Sequence, residues 1–150
     1  MCGIAGAIAP NARHDEQALH GLGNAMGLAI AHRGPDDAGT WADAEAGVVL
    51  AHRRLAIVDL SPEGHQPMVS DDGRWVIAFN GEVYNHAALR RELAAQGQRF
   101  RGHSDTEVLL AAIACWGVEA ALARSNGMLA LAAWDRRGLS LIHISEPTRR

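Results

Sequence analysis

The sequence predicts an α+β domain, and three observations carry that reading. Apolar, strand-like runs open and close the chain. Helical periodicity is confined to residues 15–31, 86–96 and 105–116. No strand–helix–strand unit repeats along the sequence. With 150 residues the chain is long enough for one core and little more than one domain.

Taken in order, Gly3–Ile8 is a short apolar run closed by Pro10 and Asn11, the pattern of a buried strand that fixes the N-terminus in the core. From Asp15 to Ala31, Leu19, Leu22, Met26 and Ile30 recur at spacings of three and four, an amphipathic helix weakened by Gly21, Gly23 and Gly27. Those glycines form no GxGxxG and sit inside a helix, which argues against a dinucleotide loop. Arg33-Gly34-Pro35-Asp36 is a turn; Thr40-Trp41, Val48–Leu50 and Leu55–Val58 are expected as successive strands, with Ser61–Gly64 a loop. Asp72-Gly73 is a hairpin turn before Trp75–Phe79, whose continuous apolar character suits an interior strand. Helices follow at His86–Gln96, stopped by Gly97, and Asp105–Trp116, opened by Ser104 with Glu107 three residues on. Met128–Trp134 is again strand-like.

Composition narrows the function. The formal net charge of -3, without a basic run, leaves neither nucleic acid nor a membrane surface as an expected partner. Cys2 and Cys115 lie in no metal-binding spacing, and none of the eight histidines forms an HExxH pair, so no metal is expected. The apolar start lacks the basic flank of a signal peptide, and a cytoplasmic location is expected.

The chemistry concentrates at Met1-Cys2-Gly3. If Met1 is removed, Cys2 carries both a thiol, of ordinary pKa about 8.5, and a free α-amine of about 7.7–8.0 that can accept its proton. Nucleophile and base then share one residue. Asn80-Gly81-Glu82, after the interior strand, offers either the turn of a hairpin or two donors for a developing oxyanion, the Asn80 amide and the Gly81 N–H. Arg53 and Arg54 open an apolar strand, as a carboxylate clamp or as solvated edge groups. Asp105 stands where helix caps are common.

Read together, Met1–Gly6, His32-Arg33-Gly34-Pro35-Asp36, His52–Asp59, Asn80–Asn85 and Ser104-Asp105-Thr106-Glu107 resemble the class II glutamine amidotransferases, most nearly the glutaminase domain of glutamine-hydrolysing asparagine synthetases. The resemblance implies an N-terminal-nucleophile hydrolase fold, a four-layer α/β/β/α sandwich, here incomplete at its C-terminus. It implies that Cys2 attacks L-glutamine to give glutamate and ammonia through a thioester, with Asn80 and Gly81 as the oxyanion hole. Arg54 and the backbone of Leu55, Ile57 and Val58 would hold the substrate carboxylate; Glu82 and Asp105 would receive its ammonium. No cofactor is implied for this step; ATP and Mg belong to a C-terminal synthetase domain, the expected partner, and a homodimer stays open. The glutaminase domain would cover residues 2–138. Residues 139–150 depart from the family pattern, are similar to a translated sequencing adapter, and leave no closing strand, from which a marginally folded chain is expected. A catalytically silent fragment or a glutamine-binding module is the alternative, and a redox thiol protein would need a resolving cysteine near Cys2.

Overall fold

The computed structural model describes residues 2–9, 15–56 and 61–146, and the side chains of residues 143, 145 and 146 are not described. Strands β1 (Gly3–Ile8), β2 (Asp37–Asp43) and β3 (Val48–Arg54) form one antiparallel sheet in the order β1-β3-β2. Strands β4 (Met68–Val69), β5 (Trp75–Val83), β6 (Gly127–Asp135) and β7 (Ser140–Glu146) form a second, in chain order. Helix α1 (Glu16–Ala29) covers the first sheet, while α2 (His86–Ala95), α3 (Asp105–Trp116) and α4 (Val118–Arg124) pack as a group with α3 against β5. The layers run α/β/β/α.

Alternation along the central strands builds this sandwich. Val48 and Leu50 of β3 meet Val76, Ala132 and Trp134 between the sheets. The residues between them face α1, where Val49 lies beside Gly23 and Ala51 beside Gly27. On β5 the odd positions Trp75, Ile77 and Phe79 join the helical layer with Leu93, Leu109 and Ile113, and Val76 turns to the other sheet. Strands covered on both faces read as unbroken apolar runs. Arg74 grips the far end of β6 with two bonds to Asp135, at 2.9 and 2.7 Å.

The expected strand at Leu55–Val58 does not continue the sheet. Pairing of β1 stops at Gly3, opposite Arg53, and β2 begins at Asp37, opposite Arg54, so Leu55 and Ala56 have no neighbouring strand. Ile57 and Val58 lie outside the described residues. Strand β5 runs four residues past Phe79, so Asn80 and Gly81 sit inside a paired strand, opposite Ala130 and Leu129, and not in a turn. Helix α4, unanticipated, starts after Gly117 with φ +82°, a conformation glycine adopts without strain. Ser104 caps α3 by accepting from the Glu107 N–H at 3.2 Å, but the Glu107 carboxylate closes no capping box; it takes the N–H groups of Arg101 and Gly102. The run at Leu139–Ile144 lies largely within β7, which pairs with β6 from Leu129 to Asp135.

Candidate active site

Cys2 precedes β1, and the strand's alternation turns it, with Ile4, toward the space between the sheets. Its Sγ accepts from the Leu55 N–H at 3.3 Å and lies 3.6 Å from the Leu55 carbonyl, while its own carbonyl accepts from Arg33 Nε at 3.2 Å. The thiol is therefore seated on the exit of β3. A cleft of about 560 Å³ opens beside it, lined by Cys2, Arg33, Leu50, Asn80, Ala132 and Leu141 among others. Cys2, just before the first strand, and Asn80, from β5 of the second sheet, both line it.

The edge of β5 decides where the Gly81 N–H points. In an antiparallel strand the N–H groups alternate between the two sides, and here those of Phe79, Gly81 and Val83 point away from β6, toward the side that the two-residue β4 leaves open. Phe79 N–H donates to Gln66 Oε1 at 2.6 Å and Val83 N–H to Asp105 Oδ2 at 2.9 Å. Among the described residues no side chain takes the Gly81 N–H between them. Glycine is demanded here by close approach, since a Cβ would fall 1.9 Å from the Met128 carbonyl oxygen.

Arg54, at the end of β3, is 8% exposed and donates through Nη1 to the Ser61 carbonyl at 2.9 Å. Its guanidinium is packed against Gly64, where a Cβ would lie 2.1 Å from Nη2. Asp36 braces the same segment: its N–H donates to the Arg54 carbonyl at 3.0 Å and its carboxylate accepts from the Ala56 N–H at 2.9 Å. Asp105 is buried in the first turn of α3, yet its carboxylate leaves its own helix to hold β5, so it is no cap. Glu82, the residue before Val83, is exposed and stands opposite Met128. Of the residues singled out by the sequence, Cys2 and Asn80 line the cleft and Leu55 is tied to it through the Cys2 sulfur, whereas Arg54, Gly81, Glu82 and Asp105 are not part of its lining.

Two buried groups were given no role by the sequence, although His52 opens one of the motifs named above. Gln66 follows the 3₁₀ turn at Pro62–Gly64, and His52 reaches from β3 across to β5, its Nε2 3.0 Å from the Phe79 carbonyl. A carbonyl only accepts, so Nε2 carries the proton. Burial pushes the His52 pKa from 6.5 to about 4, outweighing the bond to Phe79 and the nearby Asp37, which raise it. The ring is a neutral donor at physiological pH. Among the described residues no group of three His, Cys, Asp or Glu side chains could hold a metal, and no helix is long and apolar enough to cross a membrane.

Two sheets packed between helical layers, with a cysteine and an asparagine lining one cleft, define an α+β sandwich of the fold seen in a known amidotransferase. A profile of the family described as "Glutamine amidotransferase domain" matches residues 1–144, and the chain belongs to that family. It is 37% identical over 147 residues to asparagine synthetase [glutamine-hydrolyzing] 1 of Bacillus subtilis, covering 98% of this chain and 23% of that protein. It is 39% identical to a putative asparagine synthetase [glutamine-hydrolyzing] of Mycobacterium bovis, over 90% of this chain and 22% of the relative. In structure it is similar to the glutamine phosphoribosylpyrophosphate amidotransferase of B. subtilis complexed with ADP and GMP. The TM-score is 0.64 at 24% identity, over 89% of this chain and 34% of that one. The chain spans less than a quarter of the length of these two curated relatives.

Proposed function

We propose that residues 2–146 hydrolyse L-glutamine to L-glutamate and ammonia through a thioester on Cys2. The observation that carries this reading is that Cys2, from the start of the first sheet, and Asn80, from the second, line one cleft, with the Gly81 N–H, which no described side chain takes, on the strand edge next to Asn80. The Cys2 sulfur, its proton passed to the residue's own α-amine, attacks the δ-carbonyl carbon; the resulting oxyanion is met by Asn80 Nδ2 and the Gly81 N–H. The amine returns the proton to the departing nitrogen, ammonia leaves, and water hydrolyses the thioester by the same route. Arg54 holds the substrate carboxylate together with backbone at Leu55, Ile57 and Val58, and Asp105, with one oxygen committed to Val83, offers the other with Glu82 to the ammonium.

The ammonia serves an ATP-dependent amide-forming domain like the remainder of the longer relatives, with aspartate or another carboxylate as acceptor. ATP and Mg would be held there, and no step assigned to residues 2–146 passes through them. Release of ammonia and glutamate from glutamine tests the reading. Cys2→Ala is expected to abolish turnover, a glutamine analogue with an electrophilic δ-carbon to label Cys2, and intact-mass spectrometry of active protein to show a chain beginning at Cys2. Labelling at Cys115, or full activity with Met1 retained on every molecule, would refute it.

A further inference from the structure

We infer that His52 is a positioning residue for the oxyanion donors, acting with Gln66 through the backbone of Phe79; this rests on the glutaminase reading above. The clamp exists because β4 is short. Its last pairings are Met68 with Ile77 and Val69 with Val76, so the next N–H and C=O on that edge of β5, those of Phe79, meet no strand. Buried peptide groups must be paired. Two side chains from different layers do so: Gln66 Oε1 takes the N–H at 2.6 Å and His52 Nε2 donates to the carbonyl at 3.0 Å, with residue exposures of 5% and 1%.

A β4 longer by two residues would satisfy the same groups with backbone. It would also extend along the edge toward Gly81, whose N–H lies two positions further on that side. Side chains close the edge at Phe79 and leave it open at Gly81. The far end of Gln66 is itself fixed, Nε2 donating to Thr106 Oγ1 at 3.3 Å, and the neighbouring Asp105 pins Val83. The segment carrying Asn80 and Gly81 is thereby held at both ends, from β3 on one side and from the first turn of α3 on the other. The Phe79 carbonyl belongs to the same peptide as the Asn80 N–H, so a shift of that carbonyl rotates the plane from which the Asn80 side chain departs.

The test compares His52→Leu, which removes the donor, with His52→Gln, whose amide reaches the Nε2 position, and His52→Asn, whose amide stops short of it. Steady-state kinetics of glutamine hydrolysis are measured beside the melting temperature of each. The Leu and Asn variants are expected to lose roughly 10- to 100-fold in kcat, the cost of misplacing a catalytic group by about an ångström, with KM within about twofold. His52→Gln is expected to recover most of the loss. Gln66→Met should reproduce the kcat defect from the other side of the peptide, which covers the case of a Leu variant that does not fold. Unchanged kcat in His52→Asn, a Gln variant no better than Asn, or KM rising in step with falling kcat overturns the positioning role while the wild-type activity stands. A wild-type protein that releases no ammonia from glutamine overturns the glutaminase reading, and the role assigned to His52 falls with it.

Discussion

Asn80 and Gly64 separate two kinds of contribution at single residues. Asn80→Ala removes one of the two proposed oxyanion donors and is expected to lower kcat by roughly 10²–10³ with a smaller change in KM. Gly64→Ala leaves every donor in place but drives a methyl into the Arg54 guanidinium, which has the Ser61 carbonyl as one anchor and little room to retreat. Its defect should appear mainly in KM for glutamine, since the proposed contact of Arg54 with the substrate carboxylate would be made equally in ground and transition states, and steady-state kinetics of the two variants check both. A silent Asn80→Ala would reduce the Asn-Gly pair to ordinary strand. The reading proposed for Cys2 was available from the sequence because its nucleophile and base are written in one residue. His52 was not, because nothing within several residues of it marks a partner 27 positions away.

At the scale of elements, local pattern was informative where an element buries one face and silent where its neighbour is distant in sequence. Gly3–Ile8 coincides with β1 and Asp105–Trp116 with α3. The end of β5 could not be read locally, because its partner β6 begins 44 residues after Val83 and only that pairing keeps Asn80 and Gly81 extended. The glycines of α1 read as weaknesses, yet Gly23 is what lets the helix settle on the sheet: a Cβ there would lie 2.4 Å from Thr40 Cγ2 and 2.7 Å from Val49 Cγ2. Gly21, with nothing within 4 Å, bears no such duty. Thermal melts should therefore split the pair. Gly21→Ala is expected to stabilise by about 0.5–1 kcal/mol through helix propensity. Gly23→Ala should destabilise by about 1–3 kcal/mol through overpacking.

For the whole molecule, two buried groups set the response to acid. His52 has a folded pKa near 4 against 6.5 unfolded, so between these values the unfolded chain binds the extra proton and stability rises with pH. That contribution, on the order of 3 kcal/mol, is complete above pH 6.5 and gone below about 4. Asp135 acts in a lower window: hydrogen bonds from Arg74 bring its pKa from 3.8 to about 2, so its share is present above 3.8 and lost as pH falls through 2. Chemical denaturation from pH 7 to 3 should show the first loss, and His52→Gln should flatten the slope between 6.5 and 4. A wild-type stability flat across that interval would contradict a buried neutral imidazole.

The proposed attacking sulfur rides on the first sheet and the proposed oxyanion amide on the second, and no covalent turn of a few residues joins them. The gap across which a substrate carbonyl must fit is then a property of how far apart two slabs of protein stand. Leu50, Val76, Ala132 and Trp134 act as spacers that set this gap, with His52 as a tie-rod across it. Reactivity becomes a dimension of the interior: a methylene removed from a spacer, touching neither sulfur nor amide, narrows or tilts the jaws and changes how well the same chemical groups can work.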